Sequence, residues 1–141
     1  MKLSYRYQFI FTIAIVSLLA GTVNYLLFRP DIMLFKITGI SVSSFNIKND
    51  SILHFLTGYF SDMAWCIALC CIAFAFAELN YISFSGKISL LLLPFITEAL
   101  QYFRIINGIF DWFDVLTYTL IIAIFVLLFP TLKKTFVYEK D

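Results

Sequence analysis

The sequence predicts an all-α integral membrane protein, built as a bundle of four transmembrane helices joined by short loops. Of its 141 residues, 62% are hydrophobic and only 13% are charged, and the mean hydropathy is +0.92. Soluble globular domains are far more polar than this. The apolar residues also gather in runs of helix length, unlike the short alternating segments of outer-membrane barrels. We therefore expect one transmembrane domain over residues 1–141.

The first predicted span covers residues 9–28, which contain no charged residue. A run of about 20 apolar residues is enough to cross the hydrocarbon core of a bilayer. A cleaved signal peptide is the alternative, but Leu18 and Ala20 make a poor cleavage site and the apolar run continues beyond them. We therefore expect a retained helix, followed by a mixed outer loop over residues 29–53.

Three further spans follow, at residues 54–77, 88–103 and 112–129. The second is purely apolar only in its later part, and the third contains Pro94, which we expect to kink it. Membrane helices tolerate such a proline when neighbouring groups satisfy the freed carbonyl. Pro130 is predicted to end the fourth span, because proline lacks the backbone N–H that continues a helix.

Three cysteines lie within the second span, at Cys66, Cys70 and Cys71. Cysteine packs well as a small polarizable side chain, and the spacing offers no CxxC or Cys/His metal motif. We therefore interpret all three as packing residues. The sequence predicts no metal site and no cofactor.

The distribution of lysine and arginine predicts the orientation, because cytoplasmic loops carry an excess of these residues. With both termini inside, the cytoplasmic side holds Lys2, Arg6, Lys87, Lys133, Lys134 and Lys140, against Arg29, Lys36, Lys48 and Arg104 outside. This bias favours an inner or plasma membrane protein with both termini cytoplasmic. The net charge of +1 gives no basic surface, so we expect no nucleic-acid partner.

Ionisable residues at membrane depth then fall on one side of the bilayer. Asp62 and Glu98 would each lie on the order of 10 Å below the outer surface. Helical spacing gives each helix one polar stripe, namely His54, Gly58, Asp62 and Trp65; Glu98 and Gln101; and Asp111, Asp114 and Tyr118. A carboxylate in hydrocarbon costs at least about 2.5 kcal/mol, so we expect the stripes to face one another and Arg104.

Simpler interpretations of these residues stay open. Glu98 with Gln101, or Asp114 with Tyr118, could form hydrogen bonds between helices that fix the register of the bundle. His54 lies at an interface where solvation alone accounts for it. The tryptophans Trp65 and Trp112 suit helix packing and the interfacial aromatic belt. Asp111 suits a helix start, where an acidic group interacts favourably with the helix dipole.

Three short segments carry a family resemblance: YFSDMAW, EALQYFR followed by Gly108, and FDWFDVLTY. They resemble a family of short four-helix bacterial membrane proteins of unknown function. That pattern has Gly-Asp-x-Leu-Trp on helix two, Glu-x-x-Gln and an arginine around helix three, and Trp-x-Asp with a following tyrosine at helix four. The segments are more distantly similar to the VanZ-like family, named for a glycopeptide-resistance accessory protein. The match covers roughly residues 53–125.

The resemblance implies a bacterial cell-envelope protein and a set of site residues. The positions that match are Asp62, Trp65, Glu98, Gln101, Arg104, Asp111, Asp114 and Tyr118. Three positions depart from the patterns. Ser61 and Ile121 stand where glycines are usual, and Tyr118 replaces the asparagine of the VanZ-like pattern. The family of unknown function is therefore the better fit.

Three functions remain for the polar stripes. The first is binding of a membrane lipid or lipid-linked envelope precursor, with Arg104 meeting a phosphate and the carboxylates meeting sugar or amine groups. The second is a non-catalytic subunit that pairs with another membrane protein or with a second copy of the chain. The third is a lipid-modifying enzyme with Glu98 or Asp114 as general base. We place it last, because no nucleophile motif, metal spacing or phosphate-binding glycine loop supports it.

Overall fold

The computed structural model describes residues 5–28, 51–106 and 108–137, and their side chains except at 51–57 and 131–137. Four α-helices make up this part of the chain: α1 (Tyr5–Phe28), α2 (Ser51–Glu78), α3 (Phe84–Tyr102) and α4 (Trp112–Val137). Three of them, α1, α2 from Gly58 onward and α4 up to Pro130, are long and apolar enough to cross a membrane. The predicted all-α class is confirmed for the described residues. These three helices have the length and composition of membrane spans.

Helix α2 is the central helix, because α1, α3 and α4 each pack against it and α3 also packs against α4. Many of its buried side chains are small, namely Ser61, Ala64, Cys66, Ala68, Cys70, Cys71, Ala73 and Ala75. Small side chains let neighbouring helix backbones approach closely, which is how helices associate in lipid. The three cysteines are free thiols buried in this packing. Large apolar side chains such as Leu19 and Leu127 are exposed instead on the outer faces of α1 and α4.

Helices α2 and α3 end with the same backbone motif. The residues that follow their last turns, Asn80 and Arg104, have positive φ angles of 60° and 57°. At the end of α3, the backbone N–H of Ile105 donates to the Leu100 carbonyl and that of Arg104 donates to the Gln101 carbonyl, both at 2.9 Å. This is the Schellman motif, in which a left-handed residue closes the helix. Glycine and asparagine suit that position, whereas arginine is an unusual occupant.

The start of α3 lies four residues before the predicted one, because Ser83 caps it. The Ser83 hydroxyl oxygen accepts a hydrogen bond from the backbone N–H of Gly86 at 3.1 Å, which satisfies one of the free donors at the helix start. Lys87, expected in a loop, therefore lies in the first turns of α3. Its ammonium lies 4.8 Å and 5.0 Å from the ring centroids of Phe74 and Phe84.

Helix α4 also differs from its predicted bounds, since it continues through Pro130 to Val137 instead of ending at residue 129. A proline removes one backbone donor, and the loss of a single hydrogen bond does not stop a helix whose other bonds are formed. The helices α1 and α2 likewise begin earlier than predicted, at Tyr5 and Ser51. Most of the predicted outer loop, residues 29–50, lies outside the described residues.

A largely buried ion pair joins the start of α1 to the end of α2. Nη1 of Arg6 donates to Oε1 of Glu78 at 3.1 Å, and Nη2 lies 2.9 Å from Oε2. The side chains are only 7% and 15% exposed. The guanidinium carbon also lies 5.0 Å from the ring centroid of Phe129 on α4. Arg6, which the charge count treats as a loop cation, is therefore part of the packed bundle.

We expect Arg6→Met to destabilise the protein strongly, by about 3 to 5 kcal/mol, because it leaves a buried carboxylate without its arginine. The double variant Arg6→Met/Glu78→Gln should lose much less, since both charges are gone. The free energy of unfolding, measured in detergent or bicelles for all four members of the double-mutant cycle, gives the coupling. Additive losses would show that the two side chains do not interact.

Candidate functional site

A polar cavity of about 310 Å³ lies among the helices, toward the end of the bundle where α1 and α3 end and α4 begins. All four helices contribute to its wall. Its polar and aromatic lining consists of Tyr25 from α1, Asp62 and Trp65 from α2, Glu98 and Gln101 from α3, and Tyr118 from α4. Cys66, Leu69, Pro94, Thr97 and Ile106 complete it. We call this space the polar cavity.

The polar cavity brings together five of the residues singled out in the sequence: Asp62, Trp65, Glu98, Gln101 and Tyr118. Glu98 and Tyr118 are 4% and 6% exposed, so both are buried in the bundle. The Tyr118 ring packs edge-on against Phe95, with 6.0 Å between ring centroids. Each of the predicted stripes on α2, α3 and α4 therefore contributes at least one residue to this cavity.

Trp65 is held by the end of α1. Its indole Nε1–H donates to the hydroxyl oxygen of Thr22 at 3.3 Å, and its ring centroid lies 5.1 Å from that of Tyr25. A Cβ atom at Gly21 would lie 2.8 Å from Cδ1 of Trp65, so the indole packs directly on the glycine backbone. This contact fixes the ring that forms one wall of the polar cavity.

A second hydrogen bond joins α1 to α2 next to this wall. The hydroxyl of Ser61, which is fully buried, donates to Oδ1 of Asn24 at 2.9 Å. No site residue is predicted on α1 from the sequence. The sequence feature that could have identified this contact region is the segment GTVNY at residues 21–25. It places a glycine and three side chains with polar groups in an otherwise apolar run.

Asp111 holds the start of α4 and lies outside the lining of the polar cavity. Its Oδ1 accepts a hydrogen bond from the backbone N–H of Phe113 at 2.8 Å, which caps the helix. Its Oδ2 accepts one from the Tyr59 hydroxyl at 2.9 Å. Its own backbone N–H donates to Oε2 of Glu98 at 3.3 Å. Asp111 therefore ties α4 to α2 and α3, and it positions the Glu98 carboxylate.

Tyr59 is a contact residue of Asp111 that is not predicted from the sequence. Its position three residues before Asp62 could have identified it, since side chains three residues apart lie on the same side of a helix. Asp114 lies half-buried in the first turn of α4. The side chain of His54 lies outside the described residues.

Arg104 differs most from its expected position. Its side chain is exposed, and it stands beyond the last residue of α3. The left-handed residue ends the helix, so Arg104 no longer follows the stripe of Glu98 and Gln101. It lies two residues from Ile106, which lines the polar cavity. Arg104 is therefore exposed just beyond α3 and outside the lining of the polar cavity, and none of the described lining residues is lysine or arginine.

Gln101 is packed against the backbone of Gly108, which has a φ of 152°. A Cβ atom there would lie 2.6 Å from Cδ of Gln101. The positive φ therefore favours glycine at this position, and a side chain there would also displace the end of Gln101. Within the described part of the chain, no group of His, Cys, Asp and Glu side chains could hold a metal ion.

Comparisons with known proteins find no matching family model, no significantly similar curated protein and no significantly similar solved structure. The resemblance to the four-helix family of unknown function and to the VanZ-like family therefore stays a prediction.

We expect Gly21→Ala to destabilise the protein by about 1 to 3 kcal/mol, because the added methyl group overlaps Trp65. Gly58→Ala is the matched control, since a Cβ atom there meets no atom within 4 Å. The control should be neutral or slightly stabilising, because alanine favours the helix. Thermal unfolding and the tryptophan emission of both variants test this. Equal behaviour of the two variants would contradict the close contact at Gly21.

Proposed function

We propose that the chain is a bacterial inner or plasma membrane protein that binds the head group of a lipid or lipid-linked envelope precursor in the polar cavity. The observation that carries this proposal is the cavity itself. It is lined by two carboxylates, an amide and aromatic side chains from all four helices. Its volume of about 310 Å³ lies at the lower end of the range of small-molecule sites. Ionisable groups at membrane depth usually serve a function.

The charges around the polar cavity suit a head group with amine or hydroxyl groups. Asp62 and Glu98 line it, and the described lining contributes no lysine or arginine to balance them. An ammonium would be attracted to these carboxylates, and its charge would also suit the faces of Trp65 and Tyr118. Hydroxyl groups of a sugar would donate to the same oxygens. The carboxylates therefore provide acceptors that a head group can satisfy.

The exposed Arg104, just beyond the end of α3, would supply the cation for a phosphate. A guanidinium binds phosphate through two parallel hydrogen bonds, and an exposed one is free to reach it. The left-handed backbone at Arg104 costs on the order of 1 kcal/mol relative to glycine. A residue that keeps such an unfavourable conformation is a candidate for a functional role. A lipid whose phosphate meets Arg104 and whose amine or sugar enters the polar cavity would use both the cation and the carboxylates.

We further propose that α3 crosses the membrane as the fourth span, with both termini on the cytoplasmic side. It has 19 residues and packs against α2 and α4, which have the length and composition of spans. Its exposed side chains include Leu92, Leu93 and Ile96, as expected for a helix facing lipid. Its two charged side chains are placed apart from that face. Lys87 lies near its start over aromatic rings, and Glu98 is buried.

We expect the wild-type protein, drawn gently from its own membranes, to carry a lipid-sized adduct in native mass spectrometry. Asp62→Asn and Glu98→Gln should lose it, because each removes a carboxylate from the polar cavity. The matched control is Arg6→Met/Glu78→Gln, which neutralises the ion pair at the opposite end of the bundle and should keep the adduct. A stoichiometric protein partner without a specific lipid would favour the subunit function instead. A chemically altered lipid would favour an enzyme.

Arg104 provides a second test of the same proposal. Arg104→Gln should weaken binding of a phosphate-bearing lipid by about tenfold or more, since one charge-assisted contact is lost. Arg104→Lys keeps the charge and should retain part of the affinity. Arg104→Gly should lose the lipid but unfold at an equal or higher temperature, because glycine suits the left-handed position. If all three variants bind the lipid like the wild type, the phosphate contact is not at Arg104.

A further inference from the structure

A second space adjoins the polar cavity on the outer surface of the bundle. This lateral groove, of about 370 Å³, lies between α3 and α4 and is lined mainly by apolar and aromatic side chains. Phe95, Ala99, Tyr102, Phe110, Trp112 and Val115 form most of its wall. Tyr102 and Trp112 are largely exposed. In a membrane, such a surface faces the lipid, and its aromatic rings belong at the level of the head groups.

Glu98 is the residue that the two spaces share, since it lines both the polar cavity and the lateral groove. Its side chain is buried, and the Asp111 backbone N–H donates to its Oε2. It lies four residues before Tyr102, the last residue of α3, or about 6 Å along the helix axis. A carboxylate therefore stands between an apolar surface open to the bilayer and a polar interior, close to the membrane interface.

From this arrangement we propose that the ligand is a membrane lipid that reaches the site sideways from the bilayer. One hydrocarbon chain lies in the lateral groove, and the head group passes Glu98 into the polar cavity. The inference rests on the proposed function, and it adds the site at which the hydrocarbon chain of the lipid binds. The apolar chain then contacts an apolar surface, and the polar head group contacts polar side chains.

The Glu98 carboxylate in the wall of the lateral groove favours a lipid over a helix of another protein. A partner helix with an apolar face would have to pack against this carboxylate, which costs free energy unless a hydrogen-bond donor reaches it. A lipid instead brings a hydrogen-bond donor to the carboxylate with its head group.

The test uses phosphatidylethanolamine with a photoreactive group in one acyl chain, bound to the full-length protein in nanodiscs. Its head group has both an amine and a phosphate. We expect adducts on the α3 and α4 peptides that contain Tyr102 and Phe110, and excess unlabelled lipid should suppress them. Adducts on the exposed Leu127 of α4, which contacts bulk lipid, should not be suppressed.

Two substitutions on the same helix separate the groove from the rest of the surface. Ala99→Trp fills the lateral groove and should weaken the saturable binding by about tenfold or more, because it removes the contacts of the chain. Leu92→Trp places the same side chain elsewhere on the exposed face of α3 and should leave binding unchanged. Circular dichroism and gel filtration establish that both variants are folded. Glycerophosphoethanolamine, which has the head group without chains, should bind equally weakly to both.

Each contrary result has a separate meaning. Saturable lipid binding that is equal in Ala99→Trp and Leu92→Trp would overturn the lateral groove as the chain site and leave the proposed function intact. If phosphatidylethanolamine, phosphatidylglycerol and a diglycosyl lipid all fail to bind the wild type saturably, both the proposed function and this inference are wrong.

Discussion

The structure depends on the close approach of three helices to α2. In lipid, helices gain little from burying apolar surface, so their association relies on packing and on hydrogen bonds between them. Alanine, cysteine and serine along the buried faces of α2 make this approach possible. Gly21 does the same from α1, where the Trp65 indole rests on its backbone. This spacing also positions the polar cavity, because Asp62 and Trp65 belong to the same central helix.

Polar side chains are concentrated at the end of the bundle that holds the polar cavity. The Ser61–Asn24 and Trp65–Thr22 hydrogen bonds join α1 to α2, and Asp111 joins α4 to its neighbours. At the opposite end, the Arg6–Glu78 pair balances its own charges. The cavity end has carboxylates in its lining without a described lysine or arginine beside them. The described residues at the two ends therefore differ: an arginine and a glutamate pair with each other at one end, and two carboxylates line a cavity at the other.

Much of the fold follows from hydropathy, whereas the contacts of the site depend on geometry that spacing alone does not determine. The runs of apolar residues predict the helices, and helical periodicity identifies Asp62, Glu98 and Tyr118 as neighbours of one cavity. The position of Arg104 could not be predicted in this way. Its left-handed backbone conformation takes it off the stripe, and arginine seldom adopts that conformation. The pairing of Arg6 was hidden for a similar reason, since its partner Glu78 lies 72 residues away.

The Arg6–Glu78 pair has a mechanical consequence for the bundle. The first turn of α1 is fastened to the last turn of α2, and the other end of α1 is held to α2 through Asn24 and Thr22. A helix fastened near both of its ends resists separation from its neighbour, so we expect α1 and α2 to move together. Helices α3 and α4 pack less extensively against each other than α1 packs against α2. We therefore expect a motion that widens the polar cavity to displace α3 or α4 rather than α1.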